Sequence, residues 1–390
     1  MPKKVILDKA DRLYHYPLDL EEYFPRRITR KPERKIPLVD LGHFRWPVQS
    51  GYSSTEAGAF RQAGSDELDK LKGLLAEWYR KEFNIAVDPA REIYIGQGIR
   101  RILCDLCLAF IEDGDIVLCP EPGIPFYKRQ AITAGGVPIT YQISEKKNFK
   151  PSFKQLTTKI GKAAKIIIIN NPHNPLGTVL DHSDLSELVR IASLENLFIV
   201  VDAAYSSLSE EKYIPLLGTR GGKKVALEMY SFSYTFGLPY IPFGFAVGSP
   251  EAIHGLKLIH HATGLYIPSF WIDLARQEIE DYPSNDLQRV RKDINQARVE
   301  AVHMADKFSW RYIGGKSAPF IWTKNPGRRH SAEYANILLR RKNVLVLPGT
   351  AFGETGEGYT RLSLTATPDD YRTAVERMSK TIGFGFKAEE

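Results

Sequence analysis

No apolar run in these 390 residues approaches the roughly 18 that a membrane span requires, so no membrane association is expected. Cysteine is scarce. Cys104, Cys107 and Cys119 form an odd, sparse set that argues against a disulfide framework. Cys104 and Cys107 have C-x-x-C spacing, but they sit inside the apolar, helix-like run "RRILCDLCLAFIEDGD", and no second Cys or His pair at zinc spacing accompanies them. They read as helix packing, since free cysteine is usually buried. There is no internal repeat and no low-complexity segment. The opening stretch "MPKKVILDKADRLYHYPLDLEEYF" has no long apolar segment followed by a small-residue cleavage site, so it does not read as a secretory signal and the cytoplasm is the expected compartment.

What is present is ordinary for a globular protein with a sizeable core: 43% hydrophobic and 25% charged residues, enough for two or three domains at this length. Much of the net charge of +7 comes from the N-terminal part, where "RRITRKPERK" (26–35) holds several cations against one Glu. No aromatic-interleaved basic motif follows, so nucleic acid is not an expected partner. The segment reads as a solvated extension or as one that crosses to a partner subunit.

From about residue 90 short apolar runs alternate with helical patterns. "EIYIG" (92–96), "DIVLCP" (115–120), "GVPITYQI" (136–143), "AKIIIIN" (164–170), "LFIVVD" (197–202), "KVALEMYSF" (224–232) and "FGFAVG" (243–248) read as strands. The continuous β-branched run at 164–170 marks a strand buried on both faces. A helix is expected over 183–196, with Ser183 as its N-cap. The alternation predicts an α/β fold, a mostly parallel sheet sandwiched by helices. Ligands of such sheets sit beyond the carboxyl ends of the strands, where "GQGIRR", "PEPGIPFY", "NNPHNPLG", "DAAY" and "SFSYTF" fall. A long helix from about Ser284 to Ser309 and a change to mixed strands and helices predict a smaller α+β domain. The expected division is a large domain over 50–295 and a small one made of 1–49 plus 296–390.

Three of these loops carry candidate chemistry. In "NNPHNPLG" (170–177) the Asn-Pro pairs and Gly favour a turn, and Asn174 would stand at the sheet edge with an amide able to donate to a ligand oxygen. Asp202, at the end of "VVD", is either a turn residue or a carboxylate aimed at a cationic ring nitrogen. Tyr205 could present its hydroxyl to the same ligand. With "SFSYTFGLPYIPFGF" (231–245), "GDIVLCPEPGIPFY" (114–127) and "GYTRLSLTATPDD" (358–370), these pieces resemble, in order and separation, the class I/II aminotransferases, pyridoxal-phosphate enzymes of fold type I. The resemblance runs over roughly residues 36–385.

It implies these roles. Asp202 pairs with the protonated pyridine nitrogen and keeps the ring an electron sink. Tyr205 and Asn174 hydrogen-bond the ring's 3-oxygen. Gly96, Gln97 and Gly98 open a helix whose N-terminus receives the phosphate, and Ser231 donates to it. Arg361 forks onto a substrate carboxylate, so a small carboxylate-bearing molecule is the expected ligand. A homodimer is also implied, with "HFRWPVQSGYSSTEAG" (43–58) reaching the partner's site.

The pattern breaks where the family carries the lysine that condenses with the cofactor and moves its proton. Tyr234 stands there, a phenol with an unperturbed pKa of about 10 and no amine. Pro242 replaces the phosphate-clamping arginine eight residues on, Ile124 replaces an aromatic, and "GQGIRR" lacks a hydroxyl residue after its first Gly. Arg100 or Arg101 could replace the lost phosphate charge, or both could be surface residues. The expectation is an aminotransferase-like protein unable to transaminate by the lysine route, with a binding or pseudoenzyme role. Pyridoxal phosphate or pyridoxamine phosphate, if bound at all, would be held non-covalently. The alternative is an enzyme of amino or keto acids using the same cofactors, with Tyr234 as catalytic proton carrier or with Lys257 or Lys128 reaching in. A different small-molecule enzyme using the cleft is the third reading.

Overall fold

Among the described residues, seven strands make the sheet that positions the loops expected beyond its strand ends. The structure is a computed structural model; it describes residues 38–42, 61–238, 241–264 and 266–380. The basic segment at 26–35 and the stretch 43–58 lie outside the described residues. After the short β1 (Val39–Asp40), the sheet is built from β2 (Ile93–Gly96), β3 (Ile116–Glu121), β4 (Val137–Gln142), β5 (Ala164–Asn170), β6 (Phe198–Asp202), β7 (Ala226–Ser231) and β8 (Gly244–Gly248), in spatial order β2-β8-β7-β6-β5-β3-β4. Pairings from β4 across to β7 are parallel, whereas β8 runs antiparallel to both of its neighbours, β7 and β2. The mostly parallel, helix-covered sheet expected from the sequence is what the chain forms.

The run at 164–170 shows why. Ile166 and Ile168 face one apolar core with Ile102, Leu106 and Tyr127, while Ile167 and Ile169 face a second with Leu75, Tyr79 and Leu188. Successive side chains of a strand point to opposite faces, so a strand covered on both sides has no polar position to spare. Helix Gly98–Phe110 supplies Ile102 and Leu106 on one side; helices Ser65–Phe83 and His182–Glu195 supply the other. Cys107 and Cys119 are buried in the first core, and burial pushes both thiols up, Cys119 to about 12.

The helix expected over 183–196 spans His182–Glu195, and its N-cap is Asp181, not Ser183. The Asp181 carboxylate accepts from the Ser183 and Asp184 amides, and Asp184 returns a bond to the Asp181 amide. A carboxylate three residues before another acid makes a reciprocal capping box that a hydroxyl inside the first turn cannot.

Beyond helix Asn285–Lys307, capped by Ser284, come β9 (Tyr312–Gly314), β10 (Phe320–Lys324), β11 (Val344–Leu345), β12 (Leu347–Pro348) and β13 (Tyr359–Ser363). An antiparallel sheet β12-β13-β10-β9 forms, while β1 pairs in parallel with β11. Residue 295, the expected domain edge, lies inside helix Asn285–Lys307. Val290, Ile294 and Ala301 of that helix share the first core with both Leu103 and Tyr371, so one apolar mass joins the large sheet to the C-terminal elements.

Candidate functional site

Strands β5, β6 and β7 deliver Asn170, Asp202 and Ser231 at their carboxyl ends. Asn170 and Asp202 are register partners. The Asn170 amide donates to the Asp202 carbonyl (3.0 Å), and its oxygen accepts from the Asn174 amide (2.7 Å). The turn at 170–177 is thereby tied to the neighbouring strand, which aims the Asn174 side chain over the sheet edge. There a cavity of about 370 Å³ is lined by Gln97, Gly98, Asn174, Asp202, Tyr205, Ser231, Tyr234 and Arg361. Eight of the nine residues singled out in the sequence thus meet in one space. Gly96 does not line it. It ends β2, and a Cβ there would meet Tyr94 at 2.9 Å and Ile102 at 3.0 Å, so close packing explains the glycine.

Asp202 is 3% exposed, and burial pushes its carboxyl up to about 6. The Tyr127 hydroxyl (2.8 Å) and the Ala204 amide (3.0 Å) donate to it and oppose that rise. Both donors are neutral, so the buried carboxylate is hydrogen-bonded but not charge-compensated by either. Tyr127 was not among the residues singled out, although it closes the "PEPGIPFY" motif. Its contact spans 75 positions and has no local signature.

Arg361, on β13, reaches the cavity from the C-terminal sheet. It is 3% exposed, not a surface residue. One guanidinium nitrogen donates to the Asn174 oxygen (3.0 Å) and the other to the Gly42 carbonyl (2.6 Å), while its Nε finds no partner among the described residues. The Asn174 amide nitrogen in turn donates to the Tyr205 hydroxyl (3.1 Å). The guanidinium lies 4.3 Å from the Phe320 ring centre and 5.1 Å from that of Phe352, and those faces stabilise a buried cation. Burial nevertheless lowers its pKa to about 10, opposed by the Tyr205 and Tyr234 phenols.

Tyr234 sits in the short helix Phe232–Thr235 directly after β7, its ring 5.2 Å from that of Tyr205. Among the described residues lining the cavity there is no lysine. Lys128 is paired with Glu121 (2.7 Å), and Lys257 donates to the Ala90 carbonyl (2.7 Å) on a different face. Pro242 lies against the start of helix Gly98–Phe110. Gly98, at φ +79, has its missing Cβ 3.5–3.8 Å from the Pro242 backbone, an approach and a backbone angle that suit glycine. Gln97 is the N-cap without a side-chain cap bond, its own amide held by the Tyr266 carbonyl (2.7 Å). Gly98, Ile99 and Arg100, the first turn of that helix, line the cavity. Arg101 points elsewhere, paired with buried Asp105 (2.8 Å) and donating to Thr263.

This constellation fits a phosphorylated pyridine at both ends: a buried carboxylate with neutral donors for a ring cation, a phenol and an amide beside it, and open helix amides with Ser231 for an anion. Among the described residues lining the cavity there is no lysine for a covalent link. Comparison with known proteins agrees with the fold. The chain belongs to the class I and II aminotransferase family, whose model matches residues 52–378. It is similar to the LL-diaminopimelate aminotransferase of Halothermothrix orenii, 27% identical over 96% of this chain and 99% of that protein. The enzyme of the same name from Aquifex aeolicus is 30% identical over 95% of this chain and 98% of its own length. Among solved structures, substrate-bound BacF from Bacillus subtilis superposes with a TM-score of 0.85 at 22% identity, covering 96% of this chain and 98% of that one. Class I/II aminotransferases use pyridoxal phosphate, which supplies an electron sink for bonds at an amino acid's α-carbon.

Proposed function

We propose that this chain holds pyridoxal phosphate or pyridoxamine phosphate, together with a small amino or keto acid, without a covalent link, and does not transaminate by way of a lysine. The observation that carries the reading is Tyr234. It packs on Tyr205 at the cavity wall where the resemblance places the lysine, and no lysine side chain lines that wall among the described residues. The retained ring contacts support cofactor binding. Asp202 would face the ring nitrogen, Tyr205 and Asn174 the ring oxygen, and Ser231 with the helix amides the phosphate. The buried Arg361 supports a carboxylate ligand, and relatives named as aminotransferases support the amino- or keto-acid class. A homodimer follows from the same resemblance, two-fold dimers being the commonest oligomers.

A second reading has its own support. The Tyr234 phenol lies close enough to the Arg361 guanidinium for the two to interact electrostatically. A phenol beside that cation would be placed to carry a proton between donor and acceptor without any lysine. The test separates the two. Pyridoxamine phosphate is titrated by fluorescence and then dialysed away, and amino-acid turnover with a 2-oxo-acid acceptor is assayed alongside. Saturable, fully reversible binding without turnover is expected. Turnover within the usual 1–10³ s⁻¹ range that survives in Tyr234→Phe overturns the proposal; turnover abolished by Tyr234→Phe selects the second reading; absence of any binding overturns both.

A further inference from the structure

We propose that Arg100 is the phosphate-binding cation of this cavity, taking over the task for which the family motif has an arginine at the place of Pro242. The inference rests on the cofactor reading above and adds to it the residue that recognises a phosphate monoester dianion. Two arginines follow the glycine loop, and the sequence does not choose between them. The structure does. Arg101 is committed to buried Asp105, an ion pair four residues along the same helix, and to Thr263 on the adjacent helix. Arg100 lines the cavity, its guanidinium carbon 5.5 Å from the centre of the Phe126 ring, and Phe126 lines it too.

The placement suits an anion. Arg100 is the third residue of a 13-residue helix whose N-cap makes no side-chain cap bond. Its charge therefore adds to the amide dipoles of that terminus, and the planar fork matches phosphate oxygens as a pair. Ser231 and Pro242 line the same cavity, and Pro242 lies against Gly98 at the start of that helix. A second, independent feature says that the cavity takes a ligand. Arg361 is 97% buried, lines the same cavity, and keeps its Nε unpartnered among the described residues. Two anionic groups, phosphate near Arg100 and carboxylate near Arg361, would match the two cations among the described residues that line the space.

The test uses pyridoxamine phosphate, whose amine does not react with surface lysines as an aldehyde would, with unphosphorylated pyridoxamine and inorganic phosphate as comparators. Dissociation constants are measured on the full chain for wild type, Arg100→Gln and Arg100→Lys. Loss of one charge-assisted phosphate contact predicts that Arg100→Gln weakens pyridoxamine phosphate and inorganic phosphate about ten- to a hundredfold. Pyridoxamine should be unchanged, and Arg100→Lys should recover part of the loss. Equal affinity of Arg100→Gln and wild type for pyridoxamine phosphate overturns the inference and leaves cofactor binding standing. Equal weakening for pyridoxamine and its phosphate also overturns it, because the damage is then not phosphate-specific. Binding of inorganic phosphate through Arg100 without pyridoxamine phosphate keeps the inference and removes the cofactor reading. A wild type that binds neither removes both.

Discussion

At Asp202 burial and hydrogen bonding pull in opposite directions, and burial wins, so the carboxyl titrates near 6 instead of near 4. Between those values the folded chain holds more proton at this site than the unfolded chain. Stability contributed here therefore falls as pH rises from about 4 to about 6, and the penalty persists above. Asp202→Asn removes the titration. The variant is expected to gain on wild type by on the order of 2 kcal/mol between pH 4 and pH 8, read by urea unfolding at the two pH values. A difference that does not move with pH contradicts this account of the buried carboxylate. Arg361→Lys keeps the charge but loses the fork shared by Asn174 and Gly42. It is expected to weaken carboxylate ligands by roughly tenfold or more, measured by titration. At this scale the sequence was a good guide to which residues meet. Asn174, Asp202, Tyr205, Ser231 and Tyr234 reach one cavity because they stand at or just past the carboxyl ends of β5, β6 and β7, and Arg361 joins them from β13. Tyr127 was missed because its partner is set by tertiary packing. The division of labour between Arg100 and Arg101 did have a signal: Asp105 stands four residues after Arg101, the spacing of a helical ion pair.

Among the elements, β7 leads straight to Ser231 and Tyr234, and a buried acid holds it. Glu228, fully buried, accepts from the hydroxyls of Tyr79 (2.7 Å) and Tyr230 (2.5 Å) and from the Leu216 amide (2.5 Å), joining the strand to helix Ser65–Phe83 and to the turn at 216–218. Burial raises its pKa despite those donors. Glu228→Ala would leave the donors unpaired and is expected to cost about 3–5 kcal/mol. Glu228→Gln, which retains an acceptor, should cost about 1–2 kcal/mol. Denaturant titration measures both, and equal costs would contradict the donor-counting argument. The strands at 164–170 and 198–202 were legible because burial on both faces leaves an unbroken apolar run. The reversed direction of β8 was not. "FGFAVG" has the same apolar texture whichever way it runs, and its partners, β7 and β2, are set by tertiary fit. The N-cap falls at Asp181, two residues before the expected Ser183: "DHSD" offers three capping side chains within four residues, and only the reciprocal bonding between its two acids decides.

For the whole molecule, the large sheet, the C-terminal sheet and the helix Asn285–Lys307 share apolar packing, and the cavity draws on both sheets: Asp202 from one, Arg361 from the other. The cleft therefore depends on how the two parts are held together. Sedimentation equilibrium is expected to give twice the chain mass of 44.1 kDa; a monomer at micromolar concentration would remove the dimer from the account. The central proposal is chemical: with Tyr234 where the resemblance places the lysine, no lysine among the described residues lining the cavity stands ready to condense with an aldehyde. The most direct measurement is borohydride reduction of the native protein after incubation with pyridoxal phosphate, with peptide mapping by mass spectrometry, beside Tyr234→Lys treated identically. The account predicts no reduced adduct on any cavity residue of the wild type and a single new adduct at position 234 in the variant. A stoichiometric adduct on a native lysine that depends on Asp202 would contradict it.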